Sequence, residues 1–278
     1  MTFGGMYMHD RILDKINNEL KKGNKVAFAT LTEVKGSSPG KAGATLAYFN
    51  DKSIMGTVGG GILEHEVITK CAICLESGQD SLFTHSLNEN SEDTSMQCGG
   101  SVSGYIKVFK PRPRLLIVGG GHVGFNIYNV SRSLDFYTIV VDDRQEFGNK
   151  QRFELADEVY FGNISKILNE LRIDENTYVV IATRGYEKDL EALREIIKED
   201  PSYIGMIGSS KKWETLKTQL IKEGIKEDKL NNVYAPVGLN ICSNEVNEIA
   251  FAIMAELLLV KNNGHLSHRK NKNLRIDN

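Results

Sequence analysis

The chain has little proline, little cysteine and one tryptophan. Only 5 prolines and 4 cysteines occur in 278 residues. Four cysteines in a chain of this length make no disulfide framework, so a reduced compartment is expected. No apolar run reaches the roughly 18 residues that a membrane-spanning helix needs. The segment from Met1 to Lys22 is polar and lacks the apolar centre of a signal peptide. A cytoplasmic protein without membrane attachment is the expectation. Charge of one sign is also missing. Lys+Arg 34 against Asp+Glu 36 gives a formal net charge of −2, so the basic field of a nucleic-acid binder is absent.

Glycine is what the chain has in excess, with 26 residues, and the excess is clustered. Fourteen fall in the groups Gly36/Gly40/Gly43, Gly56/Gly59/Gly60/Gly61, Gly99/Gly100/Gly104 and Gly119/Gly120/Gly121/Gly124. No G-X-Y period exists, which excludes collagen. With 41% hydrophobic residues a low-complexity linker is excluded too. The clusters read as loops that turn sharply or approach a ligand.

Periodicity divides the chain. A helix is predicted over Asp10–Lys22, with Gly23 as its C-cap. Strands follow at Lys25–Val34, Ala44–Phe49 and Ser53–Val58, the last two a hairpin. A helix from about Ile62 to Ser77 and strands at Leu82–Leu87 and Gly104–Phe109 complete a small α+β domain, 1–110. Between those strands Asn88–Ser95 reads as an acidic, mobile loop. Pro111-Arg112-Pro113 is the linker, because two prolines around one residue continue neither a helix nor a central strand. Beyond it strands at Leu115–Val118, Thr138–Val141, Glu158–Phe161, Tyr178–Ala182, Tyr203–Ile207 and Val233–Ala235 alternate with helices. The last helix carries Val246, Ile249, Ala250, Ile253, Met254, Leu257 and Leu258 on one face. This is the pattern of a doubly wound parallel sheet over 111–264, followed by a basic polar tail, 265–278.

Gly119-x-Gly121-x-x-Gly124 follows the apolar strand and opens a helix, and Asp142 ends the next strand. The first glycine permits the turn, the second lets the backbone approach a pyrophosphate, and the third lets helix and strand pack closely. The acid suits ribose hydroxyls. The pattern predicts a Rossmann-like domain. Its occupant stays open between a dinucleotide and none, the glycines then serving packing alone. Asp142 favours NAD, while Arg144 suits a 2′-phosphate. His122 reads either as an anion contact or as an exposed loop histidine.

Other motifs fail. Cys71-x-x-Cys74 has no partner pair and lies within a predicted helix, so it reads as two helix-face cysteines. His65-Glu66-Val67-Ile68-Thr69 has threonine where a zincin needs histidine.

The ordered set Gly36-Ser37-Ser38-Pro39, Gly56-Thr57-Val58-Gly59-Gly60-Gly61-Ile62-Leu63-Glu64 and Cys98-Gly99-Gly100, ahead of such a domain, resembles the xanthine dehydrogenase accessory factor family of XdhC/CoxI type. The resemblance continues through Thr183-Arg184-Gly185-Tyr186, Tyr203–Ser209 and Ala235–Leu239, covering nearly the whole chain. It implies a molybdenum cofactor-binding chaperone. Such a protein holds the molybdenum–pterin cofactor during sulfuration by a cysteine desulfurase and aids its insertion into a molybdenum hydroxylase apoenzyme such as xanthine dehydrogenase. A homodimer is implied as well. Ser37, Ser38, Gly59, Gly60, Gly61, Glu64, Cys98, Gly99 and Gly100 would form one half of the site. Gly119, Gly121, His122, Gly124 and Asp142 would form the other, in the cleft between the domains. A thiolate at Cys98 would suit soft molybdenum, or transferred sulfur. The bland reading is a small apolar residue at a bend. Glu64 reads as an acceptor for pterin N–H groups or as a first-turn acid. Some relatives carry cysteine where Ile62 stands, or beside Cys98 where this chain has Gln97, so a two-thiol role is not expected. The alternatives are an NAD-dependent oxidoreductase acting on a small molecule and an adaptor holding no cofactor.

Overall fold

The computed structural model describes residues 3–36, 38, 40–86, 100–241, 243 and 245–267, with side chains from residue 10 onward. Ser37, Cys98, Gly99 and the Asn88–Ser95 loop lie outside the described residues, as does the tail beyond residue 267. The chain divides into two compact units, Met1–Arg112 and Pro113–Asn278.

The first unit runs α1 (Phe3–Lys21), β1 (Val26–Lys35), β2 (Thr45–Phe49), β3 (Ile54–Thr57), α2 (Gly61–Ser77), β4 (Ser81–Ser86) and β5 (Ser101–Phe109). Its sheet has the order β3-β2-β1-β5-β4 and pairs antiparallel throughout. Period-two alternation assigns the faces. Ala27, Ala29 and Leu31 of β1 and Leu46 of β2 pack with Leu63, Val67, Cys71 and Cys74 of α2. Val26, Ala47 and Phe49 pack with Ile12 and Ile16 of α1. The β1–β5 register shifts at a bulge between Leu31 and Glu33, and pairing resumes from Glu33 to Lys35, where the Gly36 loop begins.

The second unit holds β6 (Arg114–Val118), α3 (His122–Ser131), β7 (Tyr137–Asp142), β8 (Glu158–Phe161), α4 (Ile164–Glu170), β9 (Thr177–Ile181), α5 (Tyr186–Ile196), β10 (Tyr203–Met206), α6 (Ser210–Lys222), α7 (Glu227–Asn231), β11 (Val233–Tyr234) and α8 (Val246–Lys261). The sheet is parallel, in the order β11-β10-β9-β6-β7-β8. Strands buried on both faces read as continuous apolar runs, which is why they were legible in the sequence. Leu116, Val118, Val179 and Ile181 face α4, α5 and α6. Leu115, Ile117, Tyr178 and Val180 face α3 and α8. The buried Tyr203 hydroxyl donates to Glu256 Oε1 at 2.6 Å, tying β10 to α8. The strand order reverses between β6 and β9, and such a switch point places ligands at the carboxyl ends of the strands.

Candidate functional site

At the end of β6 the chain turns on Gly119, whose φ is +115°. A Cβ there would stand 2.3 Å from the Ala182 carbonyl oxygen at the end of β9, so both conformation and space require glycine. A Cβ on Gly124 would stand 1.8 Å from the Gly119 carbonyl oxygen, and one on Gly120 2.1 Å from that of Phe147. Gly121 differs. A Cβ on it would meet nothing within 4 Å. Its φ of −65° is open to any residue. Packing accounts for three of these glycines, and the space above the fourth is open, at the N-terminus of α3, where backbone N–H groups and the helix dipole favour an anion. His122 is exposed on the first turn of α3.

Asp142 ends β7 and is 2% exposed. Its Oδ2 accepts the Gly120 N–H at 2.7 Å and Arg144 Nη2 at 3.1 Å. Its Oδ1 accepts the Arg144 N–H at 2.9 Å and Nε at 3.0 Å. The Arg144 guanidinium lies 3.8 Å from the Phe147 ring centroid. On the other side of the same residue, Arg152 Nε donates to the Gly120 carbonyl at 3.1 Å and its guanidinium lies over Phe125. Gly120 is therefore clamped through both its N–H and its C=O. Sequence reasoning missed Arg152. It stands 32 residues from Gly120, and no pattern in the chain marks it.

Thr183 follows β9, and its N–H lies 2.9 Å from where a Gly119 Cβ would be. Its hydroxyl donates to Asp189 Oδ1 at 2.6 Å, and the Lys212 ammonium pairs with Asp189 Oδ2. Asp189 is fully buried. Burial pushes its carboxyl above the ordinary aspartate range, against the pull of Lys212 and Thr183. This network backs the Gly119 turn from the β9 side.

In the first unit Gly59, Gly60 and Gly61 all have positive φ, at +121°, +80° and +65°. A Cβ on Gly60 or Gly61 would meet nothing within 4 Å, so their backbone borders open space at the start of α2. Glu64, in the first turn of that helix, turns back onto the loop. Its Oε2 accepts the Val58 N–H at 3.1 Å, the Gly60 N–H at 3.3 Å and the Thr57 hydroxyl. That oxygen is thus committed to holding the glycine loop. The Gly36 loop lies alongside, since a Cβ on Gly40 would stand 2.3 Å from the Val58 carbonyl oxygen. Ser38 Oγ accepts the Gly40 N–H at 3.2 Å, and Gly100 is buried at the start of β5. The structure so brings Ser38, Gly59, Gly60, Gly61 and Glu64 together.

Cys71 and Cys74 are buried in the α2 core, and burial pushes the Cys71 thiol up to about 12. Such a thiol is inert. Among the described residues no group of three or more His, Cys, Asp or Glu side chains is arranged to hold a metal.

The XdhC Rossmann domain model matches residues 115–257, and that of the XdhC and CoxI family matches residues 19–86. The chain belongs to the XdhC and CoxI family. Uncharacterized protein YqeB of Escherichia coli K12 is 33% identical to this XdhC-type chain over 239 residues, covering 85% of it and 44% of YqeB. The chain therefore spans less than half of that relative. The molybdenum cofactor insertion chaperone PaoD of E. coli K12 is 22% identical over 287 residues, covering 91% of this chain and 89% of PaoD. A crystal structure described as a xanthine dehydrogenase from Bacillus halodurans shares the fold, with a TM-score of 0.50 and 20% identity over 91% of this chain and 96% of that one.

Proposed function

We propose that this XdhC-type protein binds the molybdenum–pterin cofactor, protects it during sulfuration and helps insert it into a molybdenum hydroxylase apoenzyme such as xanthine dehydrogenase. The similarity to PaoD along nearly its whole length carries the reading. The loops fit a phosphate-bearing ligand. Gly60 and Gly61 in one unit and Gly121 in the other leave open the space that a Cβ would fill. In this reading Glu64 holds the first loop in shape, Ser38 and Gly59–Gly61 meet the pterin phosphate, and the Gly119 turn separately takes the diphosphate of a nucleotide. Ser37, Cys98 and Gly99 belong to the same proposed set, with Cys98 as the soft ligand. A cysteine desulfurase partner, a homodimer and a cytoplasmic location go with it. No helix among the described residues is long and apolar enough to cross a membrane.

Titration of the purified protein with molybdenum–pterin cofactor, followed by absorbance, tests the reading. Saturable binding is the expected result. Its absence, under conditions where an established binder responds, would sink the proposal. A second reading, an NAD-dependent oxidoreductase, is favoured by the Gly119 turn at the switch point. NADH oxidation across a panel of carbonyl compounds would support it.

A further inference from the structure

An acid at the tip of the second strand of a dinucleotide-binding unit ordinarily accepts the ribose hydroxyls. Here that carboxylate is spent on the protein itself. Four donors reach Asp142, two on each oxygen: Arg144 N and Nε on Oδ1, Gly120 N and Arg144 Nη2 on Oδ2. A carboxylate has about four lone-pair sites, so a ribose hydroxyl must displace Arg144 or the glycine loop to reach it. Both are charge-assisted bonds inside a group that is 2% exposed.

The guanidinium is what the strand tip presents instead. Arg144 gives Asp142 its Nε proton and one Nη2 proton of the five that a guanidinium carries. Stacking on Phe147 fixes its plane. Its side chain is 24% exposed. A polar groove of about 710 Å³, lined by Arg144, Gln145, Glu146, Asn149 and Gln151, opens beside it. The surrounding acids do not repel an anion unopposed. Asp143 lies 3.7 Å from Arg144 Nε and 3.8 Å from Lys188 Nζ. Arg144, Arg152 and Lys188 together balance Asp142, Asp143 and Glu146.

We propose that the nucleotide taken by the Gly119 turn carries a phosphate on its ribose, as NADP-type dinucleotides do, and that Arg144 selects it. The proposal rests on reading that turn as a diphosphate site. Asp142 is then a positioning residue, tying the loop that meets the diphosphate and the cation that meets the ribose phosphate to one buried carboxylate. The sequence reading of Asp142 as a sign of NAD is reversed in this proposal.

Titrating the full chain with NADPH and NADH, followed by nucleotide fluorescence, tests it. NADPH is expected to bind tighter by about tenfold or more, the scale of one charge-assisted contact. Arg144→Ala should bring the ratio to about one, and Arg144→Lys should keep part of it, because a point charge replaces a fork. Equal affinities in the native chain would overturn the role of Arg144 and leave the diphosphate site standing. Binding of neither nucleotide would overturn both, while the pterin titration reports separately on the chaperone reading. The ratio is read in the native chain first, so the result does not depend on the folding of Arg144→Ala.

Discussion

A methyl group placed on Gly124 would sit 1.8 Å from the carbonyl oxygen of Gly119. The first and third glycines of the Rossmann turn thus hold each other at a distance that no other residue allows. Gly124→Ala must push α3 away from β6, at a cost of about 1–3 kcal/mol or more. Gly121→Ala, in open space, should cost less than about 1 kcal/mol and act on ligand binding instead. Urea melts beside cofactor and nucleotide titrations separate the two. A Gly121→Ala protein that binds like the native chain would remove Gly121 from the site.

Glu64 holds its loop with one oxygen. Glu64→Ala leaves the Val58 and Gly60 amides without their acceptor, and a loss of about 1–2 kcal/mol is expected. Hydrogen exchange should quicken at those two amides and stay slow in the β1–β2 pairing. Unchanged exchange at Val58 and Gly60 would show that the loop is held otherwise.

Removing Lys212 while keeping Asp189 strands a buried carboxylate. Lys212→Met should destabilise by about 3–5 kcal/mol. Adding Asp189→Asn should recover part of that loss, since the two side chains touch and their effects are not additive. Strict additivity in a double-mutant cycle would argue against the pair.

Acid stability should carry a mark of Asp80. Hydrogen bonds from Lys107, the Val108 N–H and the Tyr105 hydroxyl hold its carboxyl at about 2, below the ordinary 3.8. The folded chain gives up this proton more readily than the unfolded one. The stabilisation is therefore complete above the unfolded value and is lost as pH falls from about 4 through about 2. Asp80→Asn should flatten that limb of a stability-versus-pH curve. Glu223, held at about 2 by Arg194 and Gln219, keeps the remainder. An unaltered acid limb would contradict the assignment.

The parallel sheet was legible because its buried strands are apolar throughout. In the antiparallel unit β5 was legible because it alternates, and β2 because it is a short apolar run buried on both faces. The edges were less so. The helix α1 begins at Phe3 rather than Asp10, where Gly4 and Gly5 argue against a helix on propensity alone. The bulge after Leu31 leaves no signal in composition. Cys71 and Cys74 read correctly as helix-face residues, since their spacing puts both on the face that α2 buries.

For the site, residue types were legible and their partners were not. Glycine at positions 119, 121 and 124 and an acid at 142 announce a Rossmann-type strand-to-helix turn, because backbone conformation and close approach depend on the residue itself. Whether that acid meets a ribose or the protein depends on which donors reach it first. Gly120 and Arg144 come from either side of the same carboxylate, and Arg152 arrives from 32 residues away to hold the Gly120 carbonyl. Hydrogen-bond partners are chosen by distance in space, so the sequence by itself determined the turn, and only the tertiary structure decided that Gly120 and Arg144 take up the Asp142 carboxylate.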